Sequence, residues 1–227
     1  MGKKMVVITP TADRPQGIAH LSEYIQRQTL QPELWIIVDD GLTPCTTPKL
    51  PYCQHVTLKR KYEGAKSLAH NILTGLELAR GATQIAICED DDWYAPNHLA
   101  TALLHLNNSP ATGCRFLQYY HVPSRTYRKM TNRGAALCQT ALNSDAIPTL
   151  KDAAEYALRT GDKGIDGYFW NLMIQTGLHH QQTVIGLKGI GGREGIGIGH
   201  RPDKRWIPDP FGVVLRDWIG DDTERYL

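Results

Sequence analysis

Apolar and polar residues follow two different periods along the first half of the chain. Continuous apolar runs, typical of buried strands, occur in "KMVVITPT", "ELWIIVDDG" and "TQIAICEDDD". Apolar residues three and four positions apart, as on one face of a helix, occur in "QGIAHLSEYIQRQTL", "GAKSLAHNILTGLELARG" and "APNHLATALLHL". Strand and helix thus alternate three times by residue 106, which predicts an α/β fold with a parallel sheet between helices.

The second half of the chain is less regular. Strands are predicted in "CRFLQYYHVPSRTYRKM", "GAALCQTAL" and "QTVIGLKG", and helices in "LKDAAEYALRT" and "IDGYFWNLMIQTG". Residues 190–227, rich in Gly, Trp and charge, give no clear pattern. We expect a single domain over residues 1–227, made of a first half, 1–110, and a second half, 111–227.

Composition narrows the class of protein. The chain has 227 residues, 41% of them hydrophobic and 21% charged, as in an ordinary globular protein. No run of 18 apolar residues predicts a membrane span. The five cysteines contain no CxxC pair, which favours reduced thiols and a cytoplasmic location, the host cytoplasm if the protein is viral. The oligomeric state is left open.

Positive charge is concentrated in two stretches, although the formal net charge is only +2. Residues 121–133 contain four cations and no acid, and residues 183–206 contain five cations against two acids. Each cluster has two interpretations: a solvated face, or a surface for a polyanionic partner.

Four consecutive acids, Glu89 to Asp92, follow the third apolar run. Like charges at this density repel one another unless something positive lies among them. Carboxylates on one loop are ligands for Mg²⁺ or Mn²⁺, so we predict a divalent metal site. The alternative, acids that cap the next helix, explains Asp92 but not all four residues.

Four segments resemble a known family in their order and spacing: "VVITPTADRP", "WIIVDDG", "GAKSLAHN" and "CEDDDWYAPNHL". Across residues 5–106 the chain is similar to family 2 glycosyltransferases of the GT-A fold. The resemblance implies a Rossmann-like nucleotide-binding mixed sheet flanked by helices, with residues 1–110 binding a nucleotide sugar, UDP-sugars being favoured. Residues 111–227 would then form the acceptor-binding and catalytic half.

The resemblance also implies roles for individual residues. Asp91, within the DXD-like motif, would bind the metal ion. Glu89 stands where the family has its first aspartate, so its role is open between ribose and metal. Residues expected to contact the nucleotide and its phosphates are Pro10, Thr11, Arg14, Asp40, Lys66, Asn71, Glu89 and Asp90.

An inverting transfer needs one general base to take the proton of the acceptor hydroxyl. The family usually places an acid near the start of a helix on the acceptor side, and "GDKGIDGYFWNLM" supplies Asp166 there. The family's preceding Glu is Ile165 in this chain. Asp162 is the competing candidate.

A glycine-rich stretch, residues 190–205, matches neither GxGxxG nor a P-loop. Its glycines predict a mobile lid. Some GT-A enzymes close a loop of this kind that carries a metal-binding histidine. By that analogy His200 would be a metal ligand, and Arg201, Lys204 or Arg205 would lie near the diphosphate.

The leading interpretation is a metal-dependent, inverting glycosyltransferase. A nucleotidyltransferase is an alternative, although "TPTADRPQG" poorly supplies the basic, glycine-rich loop it would need after its first strand. A non-catalytic carbohydrate- or nucleic-acid-binding module is another. Two acceptors are equally compatible with the sequence: a hydroxymethylated base in phage-type DNA, or a cytosolic glycan or protein.

Overall fold

A computed structural model describes residues 5–227, so residues 1–4 lie outside the described part. The strands are β1 (Met5–Thr11), β2 (Leu34–Asp39), β3 (Cys53–Thr57), β4 (Gln84–Ile87), β5 (Asp92–Tyr94), β6 (Ala111–Cys114), β7 (Phe116–His121), β8 (Thr126–Thr131), β9 (Ala141–Asn143), β10 (Gly177–His179), β11 (Val184–Lys188) and β12 (Ile207–Pro208). The α-helices are α1 (Pro15–Gln26), α2 (Ala65–Leu78), α3 (His98–Leu106), α4 (Ile147–Thr160), α5 (Ile165–Leu172) and α6 (Val213–Ile219).

The larger sheet has the order β10-β6-β9-β4-β1-β2-β3. β1, β2, β3 and β4 run parallel, whereas β9 is antiparallel to both of its neighbours. Register places Thr11 opposite Asp39, and Ile8 opposite Ile87. The carboxyl ends of β1, β2 and β4 therefore meet at one edge, where ligands of such sheets collect.

Both faces of this sheet are covered, which explains the continuous apolar runs of its strands. Val7 points into a core shared with α1, α3 and the smaller sheet, and Ile8 points into a core shared with α2, α4 and α5. Both residues are fully buried.

The smaller sheet has the order β12-β8-β7-β11-β5. β5 pairs antiparallel with β11, and the Leu187 N–H donates to the Asp91 carbonyl (3.1 Å). The segment between β4 and β5 thus connects the two sheets. It holds three of the four consecutive acids, Glu89, Asp90 and Asp91.

The first-half strands and helices are confirmed, with differences at their ends. The third apolar run gives two strands, because β4 stops at Ile87 and Asp92 opens β5 against β11. In the second half, "GAALCQTAL" forms a 3-10 turn followed by β9. The helix predicted from Ile165 ends at Leu172, before β10. Among residues 5–227, no helix combines the length and the apolarity needed to cross a bilayer.

Candidate active site

A pocket opens at the edge where β1, β2 and β4 end. We call residues 89–92 the acid loop; it runs from the end of β4 into β5, which pairs with β11, and three of its four residues line the pocket. The predicted site residues in the lining are Pro10, Thr11, Arg14, Asn71, Glu89, Asp90, Asp91 and Asp166. The structure therefore brings together residues from both halves of the chain.

Cations of the protein itself lie among the acids. Arg14 Nη1 is 2.7 Å from Asp90 Oδ1 and 3.1 Å from Asp91 Oδ2. Lys188 Nζ is 2.8 Å from Asp91 Oδ1 and 2.7 Å from Asp92 Oδ1. None of these side chains is more than 13% exposed, so salt screens the pairs only weakly. Much of the repulsion expected from the sequence is offset without a metal ion.

Burial and crowding shift the pKa values of the acid loop. Burial, reinforced by the charges of Asp92 and Asp91, raises the pKa of Glu89 to about 8. Burial would also raise the pKa of Asp91, but Lys188 and Arg14 hold it well below its usual range. At neutral pH Glu89 is mostly protonated and Asp91 is ionised. A nearby divalent ion would favour ionised Glu89.

Close backbone packing shapes the acid loop. A Cβ on Gly17, in α1, would lie 2.4 Å from the carbonyl oxygen of Asp90, so only glycine allows this approach. The Glu89 N–H donates to Tyr94 Oη (2.7 Å). Thr11 Oγ1 donates to Asp90 Oδ2 (2.5 Å), which ties the loop to the end of β1.

Asp91 and His200 are adjacent, as the resemblance implies. His200 Nε2 lies 2.9 Å from Asp91 Oδ2, and both side chains are 7% exposed. Two ligands at right angles around one octahedral ion, each bonded at about 2.1 Å, lie about 3 Å apart. In this structure the distance is that of a direct hydrogen bond between the two side chains, and the same oxygen and nitrogen could hold one divalent ion in its place.

A second group could also hold a cation. One ligand atom from each of Glu89, Asp92 and Cys138 lies within 4.8 Å of the others. Asp92 Oδ2 is buried and has no hydrogen-bond partner in the described part of the chain. Burial raises the pKa of the Cys138 thiol well above its usual range, however, and metals bind the thiolate. A sulfur ligand also suits Mg²⁺ and Mn²⁺ poorly, which favours the pair without sulfur, Asp91 and His200.

Two expected nucleotide contacts lie outside the pocket lining. The buried Asp40 carboxylate accepts hydrogen bonds from Ser67 Oγ (2.7 Å) and Asn71 Nδ2 (3.0 Å), both of which line the pocket. A direct contact between Asp40 and a base would require these bonds to change. Lys66 is directed toward Gly161, where a Cβ would lie 3.4 Å from Lys66 Cε.

The structure distinguishes the two candidates for the base. Asp166 lies in the first turn of α5 and lines the pocket, and burial raises its pKa. Its Oδ1 accepts a hydrogen bond from the Gly167 N–H (2.9 Å). Asp162 is exposed outside the lining, where it accepts the Gly164 N–H (2.8 Å). Of the two, Asp166 is the one that lines the pocket.

Residues 190–205, the glycine-rich segment, lie over the pocket. Residues 193–197 and Gly199 contribute to its lining. The Arg193 N–H donates to the Asp13 carbonyl (3.3 Å), and Arg14 Nε donates to the Arg193 carbonyl (2.8 Å). The Arg193 guanidinium pairs with Glu63 and approaches Ser67 Oγ (3.4 Å). The segment therefore bridges the loop before α1 and the start of α2.

The cations predicted near the diphosphate lie elsewhere. Arg201 is exposed and pairs with Glu194 (Nε to Oε1, 3.2 Å), and Arg205 pairs with Asp203. Lys204 is exposed, and none of the three lines the pocket. Lys188 and Arg193 line it instead. Both residues belong to a basic stretch of the sequence, but nothing in its pattern separates them from the exposed cations.

Comparison with known families agrees with this geometry. The pattern of Glycosyl transferase family 2 matches residues 6–165, and the chain belongs to this family. Membership is evidence against a nucleotidyltransferase. No curated protein sequence matches the chain at a significant level.

Solved structures show the same GT-A fold. TarS of S. aureus has a TM-score of 0.58 and 14% identity, over 81% of this chain and 36% of TarS. TarS 1–349 in complex with UDP gives 0.57 and 14%, over 81% of this chain and 60% of that one. For the complex of TarS 1–349 with UDP-GlcNAc the TM-score is 0.59 and the identity 14%, over 83% of this chain and 59% of that one. The chain thus spans between about a third and three fifths of these neighbours.

Proposed function

We propose that this chain transfers a sugar from a nucleotide-diphosphate sugar, with UDP-sugars favoured, to an acceptor hydroxyl, with inversion and with a divalent metal ion. One observation supports this above the others: Asp166, the acid of the acceptor half, lines the same pocket as the acid loop. The TarS structures with UDP and UDP-GlcNAc support a nucleotide-sugar donor.

Donor binding is assigned to the end of β1 and the start of α2. Thr11 and Asn71 line the pocket there, and Asp40 orients Asn71. Arg14, Lys188 and Arg193 supply positive charge for the diphosphate, because all three line the same pocket. Their carboxylate partners fix these cations before a ligand arrives, which is the preorganisation that transition-state stabilisation requires.

Asp166 takes the proton of the acceptor hydroxyl as that oxygen attacks the sugar. Its raised pKa makes it a better base than an exposed aspartate. A divalent ion held by Asp91 and His200 would stabilise the negative charge that develops on the leaving diphosphate. The glycine-rich segment acts as a lid, since it carries both His200 and Arg193.

The test is release of nucleoside diphosphate from a panel of nucleotide sugars, with Mn²⁺, with Mg²⁺ and with EDTA. We expect release from at least one UDP-sugar in the presence of metal and loss of release in EDTA. Full activity in EDTA would contradict the metal assignment. No release from any donor, by a folded protein that also fails to bind UDP, would contradict the proposed function.

A further inference from the structure

Asp13 lies outside the pocket lining, yet three other segments of the chain meet at it. Its carbonyl oxygen accepts the N–H of Arg193, in the glycine-rich segment (3.3 Å). Its carboxylate Oδ1 accepts the N–H of Thr43, in the loop after β2 (3.1 Å). The other carboxylate oxygen, Oδ2, pairs with Arg60, in the loop after β3. Asp13 therefore connects the loop before α1 with two further loops and with the segment that covers the pocket.

The backbone of Asp13 is in the left-handed region, with a φ of 56°. Most side chains disfavour this region, and aspartate is among the few that adopt it, because its short polar side chain bonds locally. Such a conformation persists only where the surroundings hold it. Here the carboxylate is held by Thr43 and Arg60. The direction of the Asp13 carbonyl, which receives Arg193, therefore depends on the contacts of its side chain.

Glycines allow two of these segments to approach Asp13 closely. A Cβ on Gly41, just after β2, would lie 2.7 Å from Asp13 N. A Cβ on Gly192 would lie 2.5 Å from Asp13 O, so a side chain there would force the backbones apart. The glycine-rich segment thus fits the Asp13 carbonyl by its shape as well as by a hydrogen bond.

Arg60 connects the same place with the end of β2. Its Nε donates to the Asp40 carbonyl (3.0 Å), and its Nη2 pairs with Asp13. Glu63 lies between Arg60 (Nη1 to Oε1, 3.8 Å) and Arg193, with which its Oε2 pairs. The Glu63 side chain is 70% exposed, so solvent weakens its two ion pairs, whereas that of Arg60 is 15% exposed. The pair of Asp13 and Arg60 is therefore the better protected part of this network.

Arg193 is the residue through which this docking reaches the pocket. It lines the pocket, whereas Asp13 and Arg60 do not. Arg14 Nε donates to the Arg193 carbonyl (2.8 Å), and Arg14 Nη1 donates to Asp90 Oδ1 (2.7 Å), so the docked segment is also tied to the acid loop. Because ordering a free segment costs entropy, a cation on a docked backbone binds a ligand more tightly than one on a loose backbone.

We propose that Asp13 and Arg60 are positioning residues that dock the glycine-rich segment over the pocket and so place Arg193 against the donor diphosphate. This rests on the proposed function, in which Arg193 pairs with that diphosphate. Neither residue touches the diphosphate itself; both act through the Asp13 carbonyl. Loss of either should weaken binding of the diphosphate more than binding of the nucleoside.

The docking is tested without a nucleotide, by two neighbouring glycine variants. Gly191 and Gly192 both have a positive φ (93° and 76°), so Gly191→Ala and Gly192→Ala strain the backbone alike. The first methyl group would lie 3.6 Å from Gln16 Oε1, an ordinary contact, whereas the second would meet the Asp13 carbonyl. The Arg193 amide hydrogen should exchange roughly fivefold faster in Gly192→Ala than in Gly191→Ala, because one hydrogen bond is lost. Equal exchange rates would overturn the docking.

The positioning role is tested by Arg60→Gln, which removes the partner of Asp13 and leaves the glycine-rich segment unchanged. Arg80→Gln, which removes an exposed cation paired with Glu77, is the control. Affinities for UDP and for uridine are measured with Mn²⁺, by competition against a fluorescent UDP analogue. We expect Arg60→Gln to bind UDP about tenfold more weakly, the scale of one charged contact, with nearly unchanged affinity for uridine. Arg80→Gln should match the wild type for both ligands.

Asp13 offers a second pair of variants. Asp13→Asn and Asp13→Ala both remove the charge, but asparagine adopts the left-handed backbone more readily than alanine. Asp13→Asn should therefore bind UDP about fivefold more tightly than Asp13→Ala. Equal UDP affinities in the two variants would overturn the role of the Asp13 backbone.

The comparison of UDP with uridine separates positioning of the segment from damage to the base end. Equal losses of UDP and uridine affinity in Arg60→Gln would overturn the proposal, because Arg60 would then act through Asp40 at the end of β2. An unchanged UDP affinity would overturn it as well. A wild-type protein that binds neither ligand would contradict the proposed function, and hydrogen exchange in the two glycine variants would still decide whether Asp13 docks the segment.

Discussion

The acid loop and the glycine-rich segment meet at Asp91 and His200, yet they are built in opposite ways. The acid loop is buried, and Arg14, Lys188 and Thr11 bind it from other elements. The glycine-rich segment is largely exposed and is held through a few contacts of Arg193 and His200.

The difference indicates that the two regions contribute in different ways to the site. Buried ion pairs keep the acid loop in one geometry before any ligand binds, so its contribution is fixed charge. A glycine-rich backbone has high conformational entropy and few buried contacts, so as the proposed lid the segment would contribute position, which would be lost on opening. The predictions below test each side of this comparison.

The largest effect is expected at the acid loop itself. Asp91→Asn should lower metal-dependent turnover by about 10³-fold, because it removes the carboxylate proposed to hold the cation that stabilises the charge developing on the diphosphate. Far-UV circular dichroism should stay unchanged, since Asn keeps the shape of the side chain. The rate of nucleotide release and Mn²⁺ binding, followed by electron paramagnetic resonance, measure the loss. An Asp91→Asn variant that keeps wild-type turnover and wild-type Mn²⁺ binding would show that Asp91 holds no metal.

Asp166 lies outside both the acid loop and the glycine-rich segment, so its effect is independent of the comparison between them. Asp166→Asn should slow transfer by about 10²-fold or more, the scale of a general base, while UDP and Mn²⁺ affinities stay normal. Because burial raises the pKa of Asp166, the base becomes protonated as pH falls through that raised value. The acid limb of kcat should therefore lie above the ordinary aspartate pKa of about 3.9.

The matched control for the base is Asp162→Asn, which changes an exposed carboxylate outside the pocket lining. It should leave kcat and its pH profile nearly unchanged. A loss of transfer in Asp162→Asn, with normal transfer in Asp166→Asn, would reverse the assignment.

What the sequence reveals about the two regions differs for a physical reason. The first strands and the acids at their ends are local features, visible as apolar runs that stop at charged residues, and the structure confirms the strands. The cations that neutralise those acids are not local. Lys188 contacts Asp91 across 97 positions of the chain, and Arg14 contacts Asp90 across 76. No periodicity encodes such pairings.

Asp40 illustrates the same limit. Its position after a buried strand predicts that it lies at the edge where β1, β2 and β4 end, and the structure has it directly after β2, but its hydrogen bonds from Ser67 and Asn71 depend on how α2 packs. Among the cations of the glycine-rich segment, composition alone did not separate Arg193, inside the pocket, from Arg201, outside it.

Replacing a glycine by alanine adds a methyl group, which can test whether the glycine-rich segment positions His200 beside Asp91. A Cβ on Gly195 would lie 2.0 Å from His200 Nε2, whereas a Cβ on Gly197 would meet no atom within 4 Å. Gly195→Ala should therefore displace the imidazole from Asp91 and weaken Mn²⁺ binding by about tenfold, a scale known for disturbed metal environments. Gly197→Ala, with the same change in backbone entropy, is the control. Equal Mn²⁺ affinities in the two variants would show that His200 is not a ligand.

The prediction with the smallest expected effect concerns whether the ion pairs of the acid loop weaken the binding of Mn²⁺. Lys188 occupies Asp91 Oδ1 and also pairs with Asp92. The double variant Lys188→Met, Asp92→Asn removes one charge of each sign, which avoids a buried unpaired charge and leaves Asp91 Oδ1 free. Mn²⁺ should then bind about fivefold more tightly, a gain of about 1 kcal/mol, because a second carboxylate oxygen becomes available.

Isothermal titration with Mn²⁺ measures this directly, and Arg80→Met, Glu77→Gln, which removes an exposed ion pair, serves as the control. Weaker Mn²⁺ binding in the Lys188 variant would mean that Lys188 holds Asp91 in place for the metal and does not compete with it.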